Sequence, residues 1–223
     1  MVRRPPPTAG RAQPRQNRTP VNELVEQHPR GDQRAEEARR AAWARSEEAA
    51  VAAVPPGTGA VLQLFARLLA ARHVVEVGTG GGHSGLWLLA GMDPRGALTT
   101  IEADPERQAL AQRAFADARL SDRVRSMLGP ALTVLPRLAD GNYDLMFLDA
   151  ARSEYGDYLA HAKRLLRPGG LLLVAGADEA EGFLPAVADD PELLAVQLPL
   201  PAGGAAGGLL AAVRGSAADG DQR

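Results

Sequence analysis

The chain has no cysteine among its 223 residues, which excludes disulfides, thiolate catalysis and cysteine-ligated zinc. Lysine is nearly absent as well: Lys163 stands alone against 24 arginines, a skew that looks like coding bias. No apolar run approaches the roughly 18 residues of a membrane span, and the N-terminus lacks the apolar core of a signal peptide. The four histidines, His28, His73, His83 and His161, show no metal-ligand spacing. A soluble, cytoplasmic protein with no membrane partner is the expectation. Acid is missing from residues 1–20, which hold five arginines and five prolines; the formal charge of -2 for the whole chain therefore leaves -7 on the rest. A body of that sign lacks the basic face of a nucleic-acid binder, so no nucleic-acid partner is expected.

The length suits one domain able to bury about 70% of its unfolded surface. Residues 1–20 are too polar and proline-rich to contribute and read as a disordered tail. Residues 21–58 form a helical N-terminal segment, residues 59–215 one α/β domain, and residues 216–223 a flexible C-terminus. The Ala/Glu/Arg-rich stretch from Asp32 to Ala53 has strong helix propensity, with Trp43 as its one large apolar anchor and Pro55-Pro56 as its stop. Thr58 is placed to cap a second helix whose stripe is Val61, Leu62, Phe65, Leu68 and Leu69.

What the chain does have is one stretch around which the rest is arranged, His73 to Leu89. A short valine-rich run breaks into four glycines among five residues at Gly78–Gly82 and resumes with helical spacing at Leu86, Leu89 and Ala90. That reads as strand, tight turn and helix. Glycines there let the backbone approach a ligand, and the helix that follows points unpaired amides into the same space. Gly80, Gly82 and Gly85 satisfy the dinucleotide spacing G-x-G-x-x-G, while Gly78, Gly80 and Gly82 satisfy the G-x-G-x-G more usual for S-adenosylmethionine. The next strand, Leu98 to Glu102, ends in an acid 22 residues after Gly80, placed to accept hydrogen bonds from ribose hydroxyls. Ser84 nearly completes a hydrolase elbow but fails at Leu86 and reads as a helix cap or ligand contact. A P-loop fails because no Lys-Ser/Thr follows the glycines.

Downstream, Asp104-Pro105 opens a helix with Leu110, Ala114 and Phe115 inward. Strands follow at Arg123–Leu128 and Tyr143–Asp149, then a helix from about Ser153 to Arg167, the turn Pro168-Gly169-Gly170 and a strand at Leu171–Ala175. A short helix over Glu179–Val187 precedes two last strands, Leu194–Leu198 and Leu209–Val213. Such alternation predicts a doubly wound, mainly parallel sheet with an antiparallel C-terminal hairpin. Asp149 ends its strand where ligands of open α/β sheets bind.

These motifs resemble the class I S-adenosylmethionine-dependent O-methyltransferases of the catechol and caffeoyl-CoA type, in particular their actinobacterial branch. The family signature E-V/I-G-T-x-x-G-Y-S is similar to Glu76–Ser84, its G-x-A to Gly129-Pro130-Ala131, and its D-A-D-K-x-x-Y to Asp149–Tyr155. The resemblance implies a Rossmann-like methyltransferase sheet and makes residues 59–215 the methyltransferase domain. It further implies S-adenosyl-L-methionine as cofactor, a small-molecule methyl acceptor, and a homodimer with the Trp43 helix as a possible contact. Val54, Glu76, Gly78, Thr79, Gly80, Ser84, Glu102, Ala103, Ala131 and Asp149 would surround the cofactor. Two departures matter: the metal-dependent members carry an Asp-Asn pair where this chain has Ala175-Gly176, and a lysine where it has Arg152, which cannot act as a base. No metal ligand set is therefore assigned, and removal of the acceptor's proton falls to Asp149, to His83 or to an acceptor acidic enough on its own. An NAD-dependent oxidoreductase and a cofactor-binding homologue without catalysis are the alternative readings; Glu76 and the terminal hairpin favour methyl transfer over the former.

Overall fold

The computed structural model describes residues 33–200 and 208–215; the expected tail, the Gly/Ala-rich loop near 201–207 and the C-terminus 216–223 lie outside the described residues. Seven strands form one sheet: β1 His73–Val77, β2 Ala97–Glu102, β3 Val124–Leu128, β4 Tyr143–Leu148, β5 Leu166–Ala175, β6 Leu193–Leu198 and β7 Leu209–Arg214. Their order is β3-β2-β1-β4-β5-β7-β6. The pairs β1–β2, β1–β4, β2–β3 and β4–β5 are parallel, and β7 runs antiparallel between β5 and β6. Strand order reverses between β1 and its neighbours β2 and β4, so a crevice opens at their carboxyl ends, where ligands of doubly wound sheets bind.

Helices α1 Gln33–Glu48, α2 Pro56–Leu68, α3 His83–Gly91, α4 Pro105–Asp117, α5 Ala131–Val134, α6 Tyr155–Leu165 and α7 Phe183–Ala188 cover the sheet. Two apolar layers result. One, under α5, α6 and α7, holds Met146, Leu148, Tyr155, Tyr158 and Phe183. The other, under α2, α3 and α4, holds Val74, Leu88, Leu98, Phe115 and Phe147. The central strands read as near-continuous apolar runs because both faces are covered. Full burial of one such side chain stabilises the fold by about 1.5–3 kcal/mol.

Several local expectations change. α1 ends at Glu48, ahead of the prolines, because Ala50 turns left-handed (φ 53°) and Val51 N–H donates to the Ser46 carbonyl at 2.8 Å, closing the last turn. Its buried face is Ala38, Ala42 and Ser46, and Trp43 is only half-buried, packed against His83. Thr58 does not cap α2: Pro55 holds the N-cap position, Pro56 begins the helix, and Thr58 lies buried in its first turn. The buried side of α2 is Thr58, Gly59, Leu62 and Ala66, which leaves Leu68 70% exposed. Small residues face inward because α3 crosses so closely that a Cβ on Gly59 would lie 2.3 Å from the Trp87 ring. Pro168-Gly169-Gly170 lies within β5, at a register shift against β4. Among the described residues, no helix is long and apolar enough to cross a membrane.

Candidate active site

Three strand ends build the site. At the first, β1 stops at Val77, and Gly78 carries the chain away with φ 95°. A Cβ on Gly78 would lie 2.0 Å from the Asp149 carbonyl oxygen, so this position must be glycine for the ends of β1 and β4 to meet. Asp149 N–H donates to the Val77 carbonyl at 2.9 Å, and Gly78 N–H to the Ile101 carbonyl at 3.0 Å. The loop is thereby tied to both neighbouring strands.

Glu76, fully buried on β1, anchors the same loop from beneath. Ser84 of α3 donates to its Oε1 and Thr100 of β2 to its Oε2, each at 2.6 Å, and Thr79 lies 2.6 Å from the Thr100 hydroxyl. Since Thr100 gives its proton to the carboxylate, Thr79 donates to Thr100. One carboxylate thus fixes glycine loop, helix and second strand together. Burial pushes the Glu76 carboxyl up to about 7, against the two hydroxyls that favour its ionised form. Ser84, expected as a cap or ligand contact, makes its hydrogen bond to Glu76; Gly82 holds the N-cap position of α3.

At the second strand end, Glu102 Oε2 accepts the Gly80 N–H at 2.8 Å, and Oε1 accepts those of Ala103 and Asp104 at 3.0 and 3.1 Å. A carboxylate offers about four acceptor positions, so three serve the backbone and one on Oε2 remains for a ligand. Asp104 caps α4 by accepting from Glu106 and Arg107, as its sequence predicts. An open cleft lined by Glu102, Ala103, Asp104, Pro105, Glu106 and Arg107 lies here. Gly129 N–H donates to the Glu102 carbonyl at 2.8 Å, which draws the buried Ala131 beside the same strand end.

His83 sits under α1. Trp87 Nε1–H donates to its Nε2 at 3.2 Å, and the ring lies edge-on between Trp43 and Trp87, with centroids 5.2 and 6.2 Å away. Nε2 thus accepts, the ring proton falls on Nδ1, and Nδ1 faces the Val54 backbone without closing a hydrogen bond. Burial pushes the imidazole down to about 4, so it stays neutral near pH 7. The indole bond leaves neither nitrogen free to take an acceptor's proton.

At the third strand end, Asp149 keeps 26% of its side chain exposed, and Arg152 Nη1 lies 3.6 Å from its Oδ1. Burial raises the Asp149 carboxyl, with the Glu179 charge adding to the rise and the Arg152 guanidinium opposing it. The same guanidinium reaches Glu179, Nε to Oε2 at 3.5 Å. Gly176, left-handed at φ 62°, turns the chain back through a single turn, Ala177–Glu179, which is how Glu179 reaches Arg152. Asp178 and Glu179 follow Ala175-Gly176 by two or three residues, so the sequence places them near the strand ends only if the loop doubles back, as this turn does for Glu179. Among the described residues, no group of three or more His, Cys, Asp or Glu side chains could hold a metal ion. The residues at these strand ends do not make a site for a hard divalent cation: the Arg152 guanidinium stands between Asp149 and Glu179, and Ala175-Gly176 brings no side-chain oxygen.

The family model of O-methyltransferases matches residues 30–197. A protein of Mycobacteroides abscessus provisionally named an O-methyltransferase is 43% identical over 182 residues, covering 81% of this chain and 84% of the relative. The crystal structure of cofactor-bound Rv0187 from MTB is similar with a TM-score of 0.75 at 31% identity, over 87% of this chain and 95% of that one. An O-methyltransferase from Bacillus cereus in complex with S-adenosylhomocysteine gives a TM-score of 0.75 at 27% identity, over 87% of this chain and 96% of that one. Neither the family model nor these relatives point to a nicotinamide-dependent oxidoreductase.

Proposed function

Because the chain belongs to the S-adenosylmethionine-dependent O-methyltransferase family, we propose that it methylates a hydroxyl oxygen of a small molecule at the carboxyl ends of β1, β2 and β4. The observation that carries this reading is the closure of the glycine loop on the acid of the second strand, Gly80 N–H on Glu102 at 2.8 Å, with the Asp149 backbone packed on Gly78. When bound, the cofactor supplies a methyl group already activated on a sulfonium, so the protein's contribution is positioning and exclusion of water.

In this reading Glu102 offers its remaining acceptor position to the ribose, with Ala103 and Ala131 beside the adenine end. Gly78, Thr79 and Gly80 bring backbone against the ligand; Glu76 and Ser84 hold that backbone in place; Val54 closes the site from the N-terminal side. Asp149 faces the reacting end, to hold the cofactor's cationic amino group or to take a proton. His83, the other candidate for the proton, acts instead as a neutral wedge between two indoles that positions the start of α3. A homodimer is part of the proposal, supported by apolar side chains left uncovered on α2 and on the edge pair β6–β7, among them Leu64, Leu68, Leu194 at 79% exposure and Val196. Light scattering tests it: a monomer mass at micromolar concentration removes the dimer.

The experiment for the function is calorimetry with S-adenosylhomocysteine, followed by transfer of labelled methyl from S-adenosylmethionine to pools of hydroxylated acceptors. Binding with transfer to oxygen supports the proposal. Binding with no transfer to any pool supports a cofactor-binding homologue without catalysis, and absence of binding overturns the cofactor site.

A further inference from the structure

Arg152 and Gly176 are coupled through space. A Cβ on residue 176 would lie 2.6 Å from Arg152 Nη2 and 3.0 Å from Nε, on backbone that is left-handed at φ 62°. An aspartate or asparagine side chain at 176 and the guanidinium in its present position exclude each other. The guanidinium lies across the ends of β4 and β5, between Asp149 at 3.6 Å and Glu179 at 3.5 Å.

This cation is fixed but poorly bonded. Of its five N–H donors, one makes a close hydrogen bond, Nη1 to the Ala150 carbonyl at 3.0 Å. Nε is buried without a hydrogen-bond partner, its contact with Glu179 too long for one, so a ligand meets the guanidinium at Nη1 and Nη2. The ring of Tyr155 under the guanidinium, 5.9 Å away, helps hold it. A planar cation with unused donors at the mouth of a site matches an oxygen anion. Arginine cannot remove a proton, so a group that uses it needs an oxygen that has already lost one.

Resting on the reading above, we infer that Arg152 binds the methyl acceptor through an anionic oxygen, so that the acceptors of this chain are acidic hydroxyl compounds such as electron-poor phenols, enols or carboxylic acids. The acceptor's proton goes to solvent before it binds. The carbon–oxygen bond then forms with the acceptor's own electron pair as the carbon–sulfur bond breaks onto sulfur, and no protein base is required. Asp149 is left to hold the cationic end of the cofactor.

The test uses full-length protein saturated with S-adenosylhomocysteine and three probes: 4-nitrophenol, whose anion has its own visible absorption, 4-nitrocatechol and benzoate. The nitrophenol should bind as its anion, the visible band growing on binding at a pH below its midpoint in buffer, and benzoate should displace it. Arg152→Ala should weaken the anions roughly tenfold or more, as loss of a charge-assisted hydrogen bond does, with S-adenosylhomocysteine affinity within about twofold. Arg152→Lys should recover part of the loss, and Arg152→Gln serves if the alanine variant does not fold. Binding of the neutral phenol, equal affinity in the alanine variant, or no binding of any probe while S-adenosylhomocysteine still binds overturns the inference. Loss of S-adenosylhomocysteine binding by the unaltered protein overturns the cofactor site and this inference with it.

Discussion

The two halves of the crevice are built in opposite ways. On the β1–β2 side, Glu76 and Glu102 accept five hydrogen bonds between 2.6 and 3.1 Å, and the loop they hold has backbone bonds to β2 as well. On the β4–β5 side, Asp149, Arg152 and Glu179 touch at 3.5 and 3.6 Å, with a buried donor left over. A half whose two carboxylates are already hydrogen-bonded presents a rigid surface, as suits a cofactor of constant shape, although His83 Nδ1 behind the loop stays without a partner. The other half is held only by long ion contacts, which leaves its partly exposed cation to a ligand. On the proposed function, the preorganised half takes the cofactor and the open half takes the acceptor.

The seam between the halves is the place to break this contrast. Gly78→Ala puts a methyl group 2.0 Å from the Asp149 carbonyl on left-handed backbone, and should lower stability by about 3 kcal/mol or more in urea unfolding; an unchanged midpoint would show that the strand ends need not meet. Next in size, Glu102→Ala removes the acceptor of three backbone N–H groups and the free lone pair, and should weaken S-adenosylhomocysteine about 10- to 100-fold by calorimetry, the equivalent of a charged hydrogen bond.

A third test reads the preorganised half through pH. The folded Glu76 carboxyl, near 7, lies above its ordinary 4.5, so the stability it contributes is fully present below pH 4.5 and is lost as pH rises through 7. The loss should amount to about 3 kcal/mol, and Glu76→Gln should remove that slope when urea midpoints are compared at pH 5 and pH 8. An identical slope in the variant would assign it to another group. The smallest effect belongs to the open half: Arg152→Ala should change unfolding free energy by less than about 1 kcal/mol, since long, partly exposed ion contacts contribute little. A large loss there would mean the cluster serves folding and not the acceptor.

Much of the preorganised half was legible in the sequence because short-range rules govern it. Strand, glycine turn and helix follow from spacing, Asp104-Pro105 from capping chemistry, and Glu102 from its distance past Gly80. What stayed hidden depends on contacts distant along the chain. Ser84 looks like a cap until Glu76, eight residues back, takes its proton. Leu68 belongs to a plausible stripe until the close crossing of α3 turns the small residues of α2 inward. Trp43 is the obvious anchor of α1 by size, yet Ala42 and Ser46 lie deeper, because only small side chains fit against the loop: a Cβ on Gly81 would lie 2.1 Å from Ser46 Oγ. Arg152 could be flagged as a departure from a lysine, but its pairing with Glu179 requires the reversal at Gly176.

The wedge of His83 between two indoles has an optical consequence. Trp43 and Trp87 are the only tryptophans of the chain, so the entire indole emission of the protein originates within one cluster beside the glycine loop. Protonated imidazole quenches indole, but this imidazole remains neutral until pH falls to about 4, and the emission should hold steady across the neutral range. Any change in intensity or wavelength on adding a nucleoside ligand then arises at these two indoles, beside the loop, without a label and without turnover.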